Sequence, residues 1–259
     1  MSEHAAAPPR RRGLLMPAVL ALVGCAVLVS LGTWQLERKA WKDALIATLG
    51  RRLAAPPAAL PEPARWAVLD PKDEEFRRVR FRAALDVGQE ALVFTSGSAL
   101  RPDVSGPGYW VLSPGRLDDG SVVVVNRGFV PEGRQDAAAR PHPGGPLEIV
   151  GVMRWPESPG PFTPAGDPAR NIWFARDQSA IAAAKSWGKV APFYVEQEEP
   201  SPPGGLPRVG TLVVGLPNNH LQYAITWLGL AVVLVAVFVI YAGSHLREHG
   251  RPGTPARPV

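Results

Sequence analysis

Cysteine is almost missing from this 259-residue chain: Cys25 is the only one, and it lies inside an apolar run. Outside that run there can be no disulfide and no thiol chemistry. Histidine is scarce too. Of His4, His142, His220, His245 and His249, three sit in the terminal tails and His142 sits in the loop sequence RPHPGG. No His/Cys metal centre of recognised spacing can form between the tails, which argues against a copper chaperone. Gly-x-Ser-x-Gly elbows and Gly-rich phosphate loops are absent. The serines of TSGS and DVSGPG have only His142 and His220 as external histidine partners, and a Ser–Lys pair with Lys185 or Lys189 would rest on composition alone. The chain reads as non-enzymatic. An excess of one charge is also lacking: with the six cations and two anions of the tails set aside, 22 basic residues face 21 acidic ones. Nucleic-acid binding needs a concentrated basic face, so it is not expected.

What is present is hydrophobicity concentrated at the two ends. GLLMPAVLALVGCAVLVSLGTWQL, Gly13 to Leu36, carries no charge. As a helix it spans roughly 36 Å, enough to cross a hydrocarbon core of about 30 Å. Leu221 to Gly243 is a second uncharged run of similar length. Trp34 at one run and Tyr223 and Trp227 at the other suit a membrane interface. Arg10, Arg11 and Arg12 before the first run, and Arg247, Arg251 and Arg257 after the second, put both tails in the cytoplasm by the positive-inside rule. Arg38, Lys39 and Lys42 oppose this, but long translocated segments cross largely regardless of charge. The expected organisation is a multi-pass membrane protein. It has a basic cytoplasmic tail (1–12), a transmembrane helix (13–36), a periplasmic β domain (37–219), a second transmembrane helix (220–243) and a cytoplasmic tail (244–259). LVGC, ending at Cys25, also resembles a lipoprotein cleavage box, and basic residues before an apolar run can begin a cleaved signal. The apolar run continues well past Cys25, which favours an uncleaved anchor.

Between the runs, ERKAWKDALIAT keeps helical spacing, with Trp34, Arg38 and Trp41 at i, i+4 and i+7 on one side. Prolines in APPAALPEPARW then break the helix. FRRVRFRAAL, EALVFTSGS, GPGYWVLSPGRL, GSVVVVNRGFVP, PLEIVGVMRW and VAPFYVEQEE read as strands. RNIWFARDQSAIAAAKSWG opens extended and becomes a short helix capped by Asp177. Six or so strands with one or two short helices predict a mostly antiparallel β domain. The arginines of RRVRFR are read as a solvated strand face.

NNHLQYAITW opens the last run. His220, Tyr223 and Trp227 fall at i, i+3 and i+7 and share a helix face. An imidazole on an aromatic face could ligate haem iron. Such residues also gather at interfaces without any ligand, and from spacing alone that belt is the simpler reading. Asn218 or Asn219 is the expected helix cap.

LGTWQLERKAWK, FRRVRFRA, GPGYWVLSP, VVVVNRGFVP, NIWFARD and PNNHLQYAITWLGLA occur in this order between the two apolar runs. Together they resemble the Surfeit locus protein 1 family, over about Leu31 to Tyr241. The resemblance implies an assembly factor for cytochrome c oxidase, not an enzyme, in a bacterial cytoplasmic or mitochondrial inner membrane. The short basic tail, without an Arg/Ser-rich presequence, favours the bacterial case. Some members are implicated in holding haem a and delivering it toward oxidase subunit I, which implies subunit I and the haem a synthesis machinery as partners. The family's last-helix histidine falls on His220, which raises the ligand reading above the belt. Trp34, Arg38 and Trp41 lie in the matching first-helix motif. If the helices pair, they would face one pocket with His220, Tyr223 and Trp227, with Arg38 able to meet a haem propionate. A transient cargo suits a lone histidine, since two strong ligands would slow handover. The alternative is a cofactor-free scaffold for an oxidase subunit, with His220 structural. Tyr109, Trp110, Asn126, Arg127, Gly128 and Phe129 also lie in family motifs, and fixing the β domain is their simpler role.

Overall fold

The structure is a computed structural model that describes residues 13–142, 144–215 and 218–249. The arginines of the two tails other than Arg247, together with His4, lie outside the described residues. The chain divides into two compact units, one formed by residues up to Leu45 and from Pro217 onward, the other by Ile46–Leu216.

The first unit contains the two long helices. Helix α1 runs from Leu15 to Ala54 and α4 from His220 to His249. Both are long and apolar enough to cross a membrane. Helix α1 holds no proline after Pro17, and it stops just before Pro56 and Pro57. A residue ahead of proline is pushed out of the helical region, so Ala55 ends it. The expected continuation beyond Leu36 is observed and reaches Ala54.

The second unit is a β-barrel. Its strands are β1 (Ala58–Ala59), β2 (Arg78–Leu85), β3 (Ala91–Gly97), β4 (Ser105–Arg116), β5 (Val122–Pro131), β6 (Pro146–Arg154), β7 (Ile172–Trp173) and β8 (Val190–Glu199). The six long strands are those expected from sequence. The two short ones carry too few residues to show a period. Short helices α2 (Pro71–Glu74) and α3 (Gln178–Ala184) complete the set. Pairing runs β2–β6–β8–β5–β4, and β2 returns to β4 through Ala84–Arg116 and Leu85–Gly115, which closes the barrel. Pairing is antiparallel except at β1–β2, β3–β7 and β5–β8.

The four valines Val122–Val125 cannot alternate between core and water, so both faces of β5 must be covered. They are. Val123 and Val125 point into the barrel with Val79, Phe81, Ile149 and Phe193. Val124 lies on the outer face with Trp110, Leu112 and Tyr194, under Ile181 of α3 and Trp187. Asp177 caps α3 as expected, accepting from the amides of Ser179 and Ala180 at 3.1 and 3.0 Å. On β2, Val79, Phe81 and Ala83 are buried while Arg80 and Arg82 are exposed. Arg78 pairs with Glu198 and Arg80 with Glu148, so this arginine-rich face is a solvated one bearing ion pairs. Phe76, expected to join that alternation, instead precedes the strand at φ 66° and lies against the Arg154 guanidinium, 4.4 Å away.

Candidate functional site

Helices α1 and α4 pack antiparallel along a seam of small residues. A Cβ on Gly32 would stand 2.7 Å from Leu228, and one on Gly24 would stand 3.0 Å from Leu234. Ala224 and Ala231 of α4 are buried. Small residues let backbones approach closely where lipid offers no hydrophobic drive for association. At the end of the seam nearest Asn218 the contacts become polar. Asn218 Nδ2 donates to Asp43 Oδ1 at 2.6 Å, and Lys39 pairs with Asp43 at 2.6 Å.

His220 opens α4. Its Nδ1 lies 2.7 Å from Gln35 Oε1 on α1. A carbonyl oxygen can only accept, so the ring proton resides on Nδ1 and the lone pair is left on Nε2. Histidines that bind metal commonly have one nitrogen held by a neighbour and the other free. Gln35 was not singled out in the sequence. It is a polar residue at the end of an uncharged run, one position after Trp34, and nothing in that stretch links it to position 220. The Asn219 carbonyl accepts from the Tyr223 amide, so Asn219 occupies the cap position, while Asn218 is engaged by Asp43.

Among the described residues, no hydrogen bond, ion pair or ring contact joins Trp34, Arg38 or Trp41 to His220. Arg38 instead stacks on Trp41, 4.0 Å above the ring. Trp34, Trp41 and Tyr223 are each about half exposed, at 53%, 53% and 54%, and Trp227 is half-buried. At about 100° per residue, Trp34 and Trp41 lie to one side of the Gly24–Gly32–Gln35 stripe, as Leu20 does. Tyr223 lies to the same rotational side of the Ala224–Ala231 stripe as Val237 and Tyr241. Leu20 together with Val237 and Tyr241 lines one shallow apolar cleft at the other end of the pair. Those two sides therefore coincide, and the aromatic residues of both helices flank the same surface of the bundle near His220. Among the described residues, no three His, Cys, Asp or Glu side chains gather into a metal site. The arrangement offers one imidazole nitrogen and apolar surface.

Residues 22–232 match the family described as the SURF1 family. The chain belongs to the SURF1 family. A SURF1-like protein of Monosiga brevicollis is 36% identical over 276 residues, covering 99% of this chain and 97% of its own. Surfeit locus protein 1 of Rattus norvegicus is 34% identical over 79% of this chain and 69% of its own, and that of Homo sapiens is 33% identical over 78% and 69%. The family match runs from within α1 through the barrel into the first part of α4.

Within the barrel of this SURF1 family member, Tyr109, Trp110, Asn126, Arg127 and Phe129 are all buried. Trp110 and Phe129 pack edge to face at 5.8 Å. Gly128 has φ 117°, and a Cβ there would lie 2.3 Å from the Arg208 carbonyl oxygen, where Phe129 and Arg208 bridge. Only glycine fits that combination. The outer face of the barrel also holds a partly buried ion-pair network in which Arg176 binds Glu157 and Glu196, and Arg154 binds Glu75. Burial alone would raise the Glu157 pKa, but the hydrogen bond and charge of Arg176 outweigh it and hold Glu157 below its ordinary value.

Proposed function

We propose that this protein assists assembly of cytochrome c oxidase by holding haem a transiently at a membrane surface and releasing it toward subunit I. The observation that carries the reading is His220: its Nδ1–H donates to Gln35 Oε1, which leaves Nε2 as a lone ligand nitrogen at the polar end of an apolar helix pair. The aromatic residues Trp34, Trp41, Tyr223 and Trp227 supply surface suited to a macrocycle. Arg38, cationic beside them, suits a propionate. As cargo, haem a would bring an iron that binds imidazole nitrogen, and His220 Nε2 would supply it. A single ligand permits handover, in keeping with a carrier and not with a permanent haem protein.

The cell topology we propose follows the positive-inside rule: tails cytoplasmic, and Ile46–Leu216 on the periplasmic side of a bacterial inner membrane. No catalytic role is assigned. A scaffold that needs no cofactor is the second reading, and the Asn218–Asp43 and Gln35–His220 contacts favour it insofar as they tie the helices together. Measuring assembled oxidase in cells that express His220→Ala separates the two. Loss of haem a in subunit I while the subunit itself accumulates supports delivery. Loss of the subunit together with its haem supports the scaffold.

A further inference from the structure

A second cluster lies wholly within Ile46–Leu216. Glu90, 7% exposed, receives two guanidiniums: Arg140 binds it directly, and Arg127 Nη1 stands 3.5 Å away. One buried carboxylate thus faces two buried cations, and Arg127 is the less well compensated. Arg127 Nη2 lies 3.4 Å from His142 Nδ1. A guanidinium only donates, so Nδ1 accepts and the His142 ring proton sits on Nε2. That Nε2 is buried and has no partner among the described residues. Gln197, 6% exposed, has its amide N–H on the Pro200 carbonyl at 2.7 Å, and its buried Oε1 has no partner among the described residues. Arg127, His142 and Gln197 line one cavity of ≈ 240 Å³ whose other walls are Leu85, Leu147, Ser201 and prolines of the 200–207 segment. Buried polar groups are nearly always hydrogen-bonded, so an unmatched donor and an unmatched acceptor around one cavity need an explanation.

We propose that this cavity binds a small molecule carrying a carboxylate and a hydrogen-bond donor. The carboxylate meets Arg127 and the Nε2–H of His142, and the donor meets Gln197 Oε1. The apolar walls take a short hydrocarbon portion. A space of this size admits a compact acid. The cavity shares no residue with the His220 site, so the proposal does not rest on haem handling. Burial, aided by Arg140 and opposed by Glu90, pushes the Arg127 guanidinium down to about 10. Burial and then Arg127 lower the His142 pKa, which keeps the ring neutral and its one donor on Nε2. A carboxylate at this position relieves both effects. None of these residues drew this reading from sequence, because Arg127, His142 and Gln197 are separated by 15 and 55 positions and no local pattern links them.

The test uses the full chain in detergent, titrated by calorimetry with N-acetylglycine and, separately, with its uncharged methyl ester. N-acetylglycine is expected to bind saturably and at least tenfold more tightly than the ester, since the acid alone makes the charge-assisted contact. Gln197→Leu is expected to weaken the acid several-fold while thermal unfolding stays cooperative. The absence of saturable binding up to about 10 mM, weaker than any affinity such contacts should give, would overturn the proposal. Equal affinity for acid and ester would overturn it as well. If Gln197→Leu fails to fold, the acid–ester comparison on the unaltered chain decides alone.

Discussion

At the scale of single residues, a histidine becomes useful through its neighbour. His220 was visible from its place at the mouth of an apolar run. Gln35 was not, because the contact joins positions 185 apart and helical spacing reports only one helix at a time. Gln35→Leu should leave His220 present but unoriented, with the tautomer no longer fixed. The expected outcome is a 10- to 100-fold loss of haem affinity, the usual cost of removing a residue that orients a metal ligand, read from spectrophotometric titration. Gln35→Glu, which can still accept the Nδ1 proton, should retain most of the affinity. Gly128 belongs to this scale as well. Its motif suggested a backbone requirement, and its positive φ and the 2.3 Å approach to Arg208 show what the requirement is. Gly128→Ala should destabilise the barrel by about 2–4 kcal/mol, from left-handed strain and the displaced Arg208 carbonyl, measured by thermal or chemical denaturation.

At the scale of elements, apolar content and turn residues exposed most of the structure. The six long strands and the Asp177-capped helix stood out because each has a run or a cap of its own. Barrel closure did not, since the pairing of Ala84 and Leu85 with Arg116 and Gly115 leaves no trace in either strand's own pattern. The helix seam was equally hidden. Gly24 and Gly32 look like ordinary membrane glycines until Leu228 and Leu234 are placed against them. Gly32→Ile should therefore separate α1 from α4. In a Cys25→Ser background, cysteines replacing Asp43 and Asn218, whose side chains meet at 2.6 Å, are expected to form a disulfide in membranes. Adding Gly32→Ile should abolish it. A disulfide that forms equally well in both proteins would refute the small-residue seam.

At the scale of the whole molecule, charge is distributed to hold the barrel at neutral pH. Burial and Arg127 depress the His142 pKa, so below about pH 6.5 the unfolded chain takes up a proton that the fold resists. A depressed base loses stability as pH falls, so the melting temperature should begin to decline below that point. Arg101 holds the Asp103 carboxyl below its ordinary value, and Arg176, against burial, does so for Glu157. Their contributions are complete above the unfolded carboxylate pKa near 4 and are lost as pH drops through the lower folded values, giving a second decline. His142→Gln should remove the first step and leave the second, as followed by circular dichroism against pH.

The proposed carrier role joins these scales, and it rests on one nitrogen. The most direct measurement is an absorption spectrum of the detergent-purified protein, co-expressed with haem a synthesis, beside His220→Ala protein matched for folding by circular dichroism. A Soret band in the parent that disappears in the variant is the result expected of a haem a carrier with His220 as its ligand. Two colourless proteins, or two equally coloured ones, would contradict that role.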